Sequence, residues 1–522
     1  MNRSCLHKSI TSILPFLFVV FLMAVFNACS ENALDADVNE QDETSLVLQD
    51  ESSSSVKSSS SKTKSSSSKK SSTRTSSSSS IKASSSSKTN SSSSSTKMSS
   101  SSNANGSSSS VKTSSSSKTD SSSSKLEYPD SFKPQDKEYP YAGIPRIVIE
   151  TENRIAIKDR ETEIPAKMQI WGESSAESEI LDLTIRGRGN TSWTDMPKNS
   201  YKIEFEKKQS MFGMPKDKDW ALIANYADKT LMRNYLAYRL AAALVTYYAP
   251  RCEFAELYLN GEYLGVYLLT ETIKIAENRV NIPKDVNSFI VEKSQNFRRG
   301  DQIVYSYAMA TDSLGNAFHV HNPKNASADV LLTIKNEIES FENYLKSIQE
   351  NKDNKIGQRL DVMECVKHYW VQEFTKNPDA AHYSSLYFSW VKNDLIKMGP
   401  VWDFDLAFGG HNNESVVKPE YWHIKTRYWH SYIFKDSVAN QARYDFWKAN
   451  RDIFAEIIDV ADSIRVLLKD ASKNNFKRWD ILKSTEYVYH RHAYDSYDDA
   501  VEGLKDWIRI RINWIDAEIE KE

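Results

Sequence analysis

The sequence predicts an α+β fold with two lobes, a β-rich lobe over about residues 145–295 and a mainly helical lobe over about 296–522. Short segments of alternating apolar and polar residues dominate the first region, which is typical of half-buried strands. Apolar residues at helical spacing dominate the second region. The 522 residues would suffice for two to four average domains, but a long N-terminal part has too few apolar side chains to form a core.

Residues 1–28 have the composition of an export signal. Arg3 and Lys8 precede an apolar run, Ile13–Phe26, that is short for a transmembrane helix. Cys29 follows the run as in bacterial lipoprotein signals, although Phe stands three positions before it where Leu is preferred. We expect export and a lipid on Cys29 that anchors the chain in the cell envelope, at the outer membrane or cell surface. An ordinary cleaved signal and an uncleaved anchor are the alternatives.

Residues 29–50 form a short acidic lead, and residues 51–125 form a low-complexity linker. The linker has 44 Ser in 75 residues, interrupted mainly by Lys and Thr. Because it has almost nothing to bury, we expect a disordered stalk with its ends roughly 50 Å apart. Residues 1–50 carry a net charge of −5, and the linker carries +10. Because the whole chain has a net charge of −3, residues 126–522 carry −8. This balance does not indicate nucleic-acid binding by the folded part.

Only two cysteines, Cys252 and Cys365, fall in the folded part, which we place at residues 126–522. Two cysteines exclude a disulfide framework. One bridge and two buried free thiols both remain compatible with the sequence.

The β-rich region begins at Pro145 with four alternating segments, RIVIE, KMQIW, LDLTIRG and YKIEFE, which predict strands. A helix is expected next, with Asp228 as its N-cap, through LMRNYLAYRLAAAL. Asn260 and Gly261 then lie between two alternating runs, which is a strong hairpin signal. The segment SFIVEK predicts a further strand.

The second region has four helical patterns, at residues 331–350, 361–376, 440–469 and 497–520. A short β insertion, SLYFSWVKNDLIKMGPVWDFD, separates the second pattern from the third. A β lobe with one helix, followed by a helical lobe with a small hairpin, is the arrangement of a two-lobed kinase-like fold.

Three aspartates in this region have the order that phosphoryl transfer requires. The reaction needs a cation at the phosphates, carboxylates that hold divalent metal, and an acid near the attacking hydroxyl. Asp379 lies after a predicted helix and before a strand, where kinases place the catalytic acid. Asp403 and Asp405 end the following hairpin, and both can face one metal ion if the chain is extended, because alternate residues share a face. Capping of the next loop is the alternative for a bare Asp-x-Asp.

Ser384 stands five residues after Asp379, where protein kinases have a metal-binding Asn. Coordination by its hydroxyl and loss of a second metal ion are both open.

Four basic residues are candidates for the phosphate-binding side. In YKIEFE, Lys202 faces away from the apolar side chains and can reach a nucleotide, with Lys198 as the alternative. Arg186 and Arg188 lie in RGRGN, whose glycines suit a backbone cradle for phosphates. A solvated lysine and an ordinary tight turn are the competing interpretations.

Two glutamates and three residues of one predicted helix are further candidates for supporting roles in such a site. Either Glu271 or Glu292 can pair with the phosphate-binding lysine or contact the adenine of the nucleotide. The alternative is that both are ordinary surface carboxylates. One predicted helix can correspond to the movable helix of kinases, and it carries Asp228, Arg233 and Asn234. For each of these residues, a helix-cap or surface role is the alternative. The segment His490-Arg491-His492 has no third ligand nearby, which argues against a metal site there.

Together these segments resemble the CotH (spore coat protein H) family of atypical secretory protein kinases. The resemblance covers most of residues 145–520. The matching blocks are RGRGNTSW (186–193), PKNSYKIEF (197–205), DWALIANYADKTLMRNYLAYRLA (219–241), LYLNGEYLGVYLLTETI (257–273), NRVNI (278–282), NPD (377–379) and GPVWDFDLAFG (399–409). It implies a kinase-like fold, ATP with divalent metal as cofactors, and phosphorylation of Ser on proteins. It also implies Asp379 as the catalytic acid and Asp403 with Asp405 as metal ligands.

The leading hypothesis is thus a surface-tethered protein kinase that uses ATP with Mg²⁺ or Mn²⁺ and phosphorylates Ser-rich protein segments, with its own linker as a candidate substrate. A catalytically inactive kinase-like scaffold is the alternative. Carbohydrate attachment through the aromatic residues of 421–434 is a third hypothesis.

Overall fold

The computed structural model describes residues 132–522, apart from 136, 297, 299, 352–354, 382 and 486–491. The expected signal, the lipid site at Cys29, the acidic lead and the linker lie outside the described residues, as do His490 and Arg491. In the described ranges, no helix is both long and apolar enough to cross a membrane.

Seven strands of the first region close into a barrel. They are β1 (Arg146–Thr151), β2 (Ile164–Trp171), β3 (Leu181–Arg188), β4 (Ser200–Gln209), β5 (Asp217–Ile223), β6 (Cys252–Leu259) and β7 (Glu262–Glu271). Their order around the barrel is β1-β2-β3-β4-β5-β7-β6. All neighbours are antiparallel except β1 and β6, which are parallel and complete the ring. The four predicted strands and the hairpin at Asn260 and Gly261 are confirmed.

Alternation along β4 shows how the sequence fills the barrel. Tyr201, Ile203 and Phe205 are buried in its core, and Lys202 between them is only partly buried. Because successive side chains of a strand point to opposite faces, Lys202 lies on the outside, as the sequence predicted.

A five-stranded sheet forms the second β element. It consists of β8 (Ser288–Lys293), β9 (Ile303–Ser306), β10 (Asn316–Asn322), β11 (Leu386–Val391) and β12 (Lys397–Met398), in the order β12-β11-β8-β10-β9. The predicted strand SFIVEK is β8, and the predicted insertion supplies β11 and β12. Strands β9 and β10 were not predicted, because β9 has only four residues and β10 has polar residues at four of its seven positions.

Among the described residues there are nine α-helices, which connect the strands or follow the last of them. They are α1 (Thr191–Thr194), α2 (Arg233–Ala243), α3 (Ala328–Asn351), α4 (Val362–Thr375), α5 (Glu414–Val417), α6 (Tyr428–Ile433), α7 (Ser437–Leu467), α8 (Lys469–Arg478) and α9 (Tyr497–Ile519). The four predicted helical patterns correspond to α3, α4, α7 and α9. The described chain is therefore α+β, with a closed barrel that the sequence did not predict.

Helix α4 lies in the centre of the larger apolar core. Ten of its 14 residues are buried, including Trp370 and Phe374, which pack against rings from α7. Trp429, from the aromatic segment 421–434, also packs into this core against Phe388. Cys252 and Cys365 are buried free thiols, so the bridged alternative is wrong.

Candidate functional site

Asp379, Asp403 and Asp405 converge where α4 ends. Lys376 adopts a left-handed conformation with φ 47° and ends the helix, and Asp379 begins a 3-10 turn three residues later. The segment after β12 brings Asp403 and Asp405 to the same place. All three side chains are half-buried, and the carboxyl of Asp379 lies close enough to the other two to feel their charge.

The backbone around Phe404 is not the extended strand that the sequence predicted. Strand β12 ends at Met398, and Asp403 has φ 66°, which is uncommon for a residue other than glycine. The carbonyl of Asp403 accepts a hydrogen bond of 2.9 Å from Asn377 Nδ2. The N–H of Phe404 donates to Asn234 Oδ1 at 2.7 Å. Side chains from two other elements therefore hold this turn, and tertiary contacts bring the two carboxylates near each other.

Electrostatics make this cluster unfavourable for three negative charges. Burial, followed by the charges of Asp403, Asp405 and Glu292, raises the pKa of Asp379 well above its usual value. Burial and the charge of Asp403 likewise raise the pKa of Asp405. Burial raises the pKa of Asp403 as well, although Arg188 opposes it.

A hard divalent cation fits this donor set. Mg²⁺ and Mn²⁺ prefer carboxylate and hydroxyl oxygens, and a doubly charged ion offsets the repulsion between neighbouring carboxylates. Asp403 and Asp405 would supply the carboxylates.

Two serines support the cluster from the loop before β11. Ser384 is buried, and its hydroxyl donates to the carboxyl of Asp379. Ser385 donates its hydroxyl to Asp403 Oδ2 at 3.3 Å and its N–H to Glu292 Oε1 at 2.9 Å. The sequence indicated Ser384 but not Ser385, whose role depends on contacts with residues 18 and 93 positions away.

Arg188, at the end of β3, is the candidate cation that the structure brings to Asp403. Its guanidinium lies 4.8 Å from the ring of Trp402 and interacts electrostatically with Asp403 and Tyr387. Burial lowers its pKa. In the part of the chain that the structure describes, its guanidinium has no hydrogen-bond partner, so its donors can bind an anion.

Lys202 and Arg186 lie in a charged network on the outside of the barrel. Lys202 Nζ is 2.7 Å from Glu204, 3.3 Å from Asp219 and 3.6 Å from Glu163. Arg186 pairs with the same Glu163 at 3.5 Å. The two cations therefore have carboxylate partners in this network already.

Lys198 is buried inside the protein. Its Nζ donates to the Val266 carbonyl at 2.6 Å and to Asn475 Oδ1 at 2.9 Å, and lies 4.8 Å from the ring of Tyr267. Burial holds its pKa well below the usual value. These contacts connect the barrel to α8 rather than to the aspartates.

The two candidate glutamates lie in different surroundings, and neither is a surface carboxylate. Glu271 is buried, with Arg251 at 3.1 Å and Arg279 at 3.9 Å. Glu292 is nearly buried and lies beside the aspartate cluster, where its charge contributes to the raised pKa values of Asp379 and Asp403.

The residues around the start of α2 are also buried, so their surface interpretation is wrong. Asp228 Oδ2 accepts from the N–H of Arg233 at 2.8 Å, and Asp228 Oδ1 accepts from the N–H of Thr230, also at 2.8 Å. Helix α2 begins at Arg233 with Met232 as its N-cap, so the prediction of Asp228 as the N-cap is wrong, although the Asp228 carboxylate accepts from the first N–H of the helix. Arg233 pairs with Asp228 and also offsets part of the charge on Asp405.

Comparison with known proteins adds two findings. The sequence model of a family described as "CotH kinase protein" matches residues 185–515, which include Arg188 and all three aspartates. The inner spore coat protein H of Bacillus subtilis (strain 168) is 34% identical over 113 residues. That alignment covers 20% of this chain and 30% of the length of the relative.

Proposed function

The chain belongs to the CotH kinase protein family, and on that premise we propose that it is a metal-dependent kinase that transfers the γ-phosphate of ATP to Ser side chains of proteins. The observation that carries the proposal is the convergence of Asp379, Asp403 and Asp405, with their raised pKa values. Such a cluster is typical of a cation site, because one bound divalent ion relieves the repulsion.

Asp403 and Asp405 would hold the metal in this proposal, with Ser384 as a further oxygen ligand. When bound, Mg²⁺ or Mn²⁺ neutralises charge on the phosphates of ATP, which supplies the transferred phosphoryl group. Arg188 binds phosphate oxygens, since it lies beside Asp403 and its hydrogen-bond donors have no partner among the described residues. Lys202 and Arg186 would reach the nucleotide only by leaving their carboxylate partners, and Lys198 only by leaving its buried contacts with Val266 and Asn475.

Asp379 acts as the proton acceptor. Its carboxylate takes the proton of the substrate Ser hydroxyl as the new O–P bond forms and ADP leaves, and later returns that proton to solvent. The hydroxyl of Ser384 donates to this carboxyl and orients it.

We further propose that the nucleotide and the metal bind to different parts of the fold. We place the nucleotide on the barrel side, through Arg188, and the metal and proton acceptor on the side that begins with α4. In this proposal the chain has the two-lobed arrangement of a kinase-like fold, with residues 126–522 as the catalytic domain. The B. subtilis relative is named as a spore coat protein. That name and the predicted export signal support the proposal of a surface location, with the chain tethered by a lipid on Cys29 and the Ser-rich linker.

The linker is the first substrate to test. The full chain is incubated with γ-labelled ATP, Mg²⁺ or Mn²⁺, and peptides from residues 51–125. Transfer to Ser is expected, and Asp379→Asn and Asp403→Asn should each lower its rate at least about 1,000-fold. Asp452→Asn, which changes an exposed aspartate on α7, serves as the matched control. No transfer by the wild type with either metal, or full activity of Asp379→Asn, would contradict the proposal.

A scaffold without catalytic activity is the second candidate. Ser384 favours it, because a hydroxyl replaces the metal-binding Asn of protein kinases. Calorimetric titration with ATP and Mg²⁺ separates the two functions. Binding without phosphate transfer supports the scaffold, and binding with transfer supports the kinase.

A further inference from the structure

Two histidines and a glutamate meet on one face of the five-stranded sheet. His319 and His321 alternate along β10 and so point to the same side, with ring centroids 4.0 Å apart. Glu292 on β8 is the direct register partner of His319. One donor atom from each of the three side chains lies within 4.8 Å of the other two. The register of the sheet, rather than a flexible loop, therefore assembles this group.

The three side chains direct nitrogen and oxygen atoms that can bind a metal ion toward one another. Glu292 uses Oε1 to accept from the N–H of Ser385, and its Oε2 lies 2.7 Å from His321 Nε2. His319 Nε2 lies 3.5 Å from Asp301 Oδ1.

We propose that Glu292, His319 and His321 form a site for a zinc-class divalent cation. Two imidazoles and one carboxylate, with a fourth position open to water, are a common ligand set of such sites. Bonds of about 2.0–2.2 Å to each donor require the side chains to close around the ion, which rotation about their χ angles allows. Asp301 lies next to His319 and can orient its ring through a hydrogen bond.

This site differs from the aspartate cluster in both donors and access. The side chains of His321, His319 and Glu292 are 31%, 18% and 12% exposed, so solvent reaches the open position. Imidazole ligands favour Zn²⁺ and similar transition metals, whereas the oxygen-only cluster at Asp403 and Asp405 favours Mg²⁺ or Mn²⁺. The proposal does not depend on kinase activity.

Glu292 connects the two sites. Its charge acts on Asp379 and Asp403, and its Oε2 belongs to the histidine group. A cation bound at Oε2 would therefore offset negative charge beside the aspartates.

Zinc content and cobalt spectroscopy test the site directly. The full chain is purified without a histidine tag, stripped with a chelator, loaded with Zn²⁺ and dialysed, and its zinc is measured by mass spectrometry. One Zn²⁺ per chain is expected. Co²⁺ should give the visible absorption bands of a four-coordinate ion bound to imidazole. His319→Ala/His321→Ala should weaken Zn²⁺ binding at least about 100-fold.

Three further variants make the test specific. His321→Gln keeps a polar side chain of similar size and should also lose Zn²⁺, so the result holds even if the double variant fails to fold. His492→Ala changes an exposed histidine elsewhere, and Asp403→Asn changes the aspartate cluster. Both should retain Zn²⁺. Absence of stoichiometric Zn²⁺ in the wild type, retention of Zn²⁺ by His321→Gln, or its loss in Asp403→Asn or His492→Ala would overturn the proposal.

Discussion

Asn234 Oδ1 accepts a hydrogen bond of 2.7 Å from the backbone N–H of Phe404. Both residues are buried, and the Asn234 amide donates in turn to Asn225 Oδ1 at 3.2 Å. Through this contact, helix α2 holds the backbone between Asp403 and Asp405. A residue that touches neither carboxylate thus determines where both of them lie.

Asn234→Ala should therefore weaken both stability and catalysis. The variant leaves a buried N–H without an acceptor, which costs about 1–3 kcal/mol of the free energy of unfolding. Looser placement of the two aspartates should lower kcat about 100-fold. Urea unfolding and phosphate-transfer assays measure the two effects. Asn450→Ala, a partly exposed site on α7, is the control. A variant as stable as the wild type would contradict this role.

Asp405→Asn should stabilise the metal-free protein at alkaline pH. The pKa of Asp405 is raised in the folded state by burial and by Asp403 and Asp228, against the opposing charge of Arg233. Wild-type stability therefore falls as pH rises from about 3.9 through the raised folded pKa, and it stays low above that pKa. Asparagine has no carboxyl group to ionise, so the stability of the variant does not fall in this way.

Thermal unfolding in the presence of a chelator should accordingly show that the free energy of unfolding of Asp405→Asn exceeds that of the wild type by about 1 kcal/mol or more at pH 8. At pH 4 the two free energies should be close to each other. Added Mg²⁺ should narrow the difference at pH 8, since the ion stabilises the wild-type cluster. Equal stability of the two proteins at pH 8 without metal would disprove the repulsion. Asp452→Asn, again an exposed aspartate, should give the same curve as the wild type.

Arg188→Met should weaken nucleotide binding more than it changes stability. The guanidinium contacts the Trp402 ring but has no hydrogen-bond partner in the described ranges, so its removal breaks few folded-state contacts. Loss of a charged phosphate contact should raise the Kd of Mg-ATP about 10-fold or more. Calorimetric titration measures this change. Arg509→Met, at an exposed position of α9, is the control, and an unchanged Kd would exclude Arg188 from the nucleotide site.

Glu373→Gln should destabilise the fold strongly. Glu373 on α4 and Arg511 on α9 form a fully buried ion pair at 2.6 Å. The same carboxylate accepts backbone N–H groups from His423, Ile424 and Lys425. Loss of the negative charge leaves Arg511 buried without its counter-ion, which costs about 3–5 kcal/mol.

The effect of Glu373→Gln should depend on pH in a defined direction. Burial alone would raise the pKa of Glu373, but Arg511 and the N–H donors hold it below the usual value. The stability that the charge supplies is complete above about pH 4.3 and is lost as pH falls through the lowered folded pKa. Urea unfolding at pH 7 and pH 3 should thus show a smaller gap between variant and wild type at pH 3. Glu414→Gln, which removes an exposed ion pair, should change stability by less than about 0.5 kcal/mol.

Several parts of the site were predictable from local pattern. Alternation in YKIEFE placed Lys202 on the face opposite the apolar side chains, and helical spacing located α4 just before Asp379. The parallel pairing of β1 with β6 was not predictable, because its register joins residues about 110 positions apart in the chain. The left-handed backbone at Asp403 was missed for a similar reason, since Asn234 and Asn377 hold it from other elements.

The histidine pair shows what signal was available and what was lacking. Alternate histidines in a strand, as at His319 and His321, share a face, and that much is readable from HVH. Their third partner, Glu292, is set by the pairing of β10 with β8. Strand pairing is a long-range choice, so the group is visible only in the folded chain.

The sequence by itself determined the family, the strands and helices with clear periodicity, and the presence of three aspartates in a kinase-like order. These properties depend on side-chain chemistry and short-range spacing. Only the tertiary structure decided which cation meets Asp403, where Glu292 lies and why Lys198 is withdrawn from the site. Those outcomes depend on burial and on contacts between distant segments. Burial and neighbouring charges set the pKa of each group, and the tertiary fold determines which residues are its neighbours.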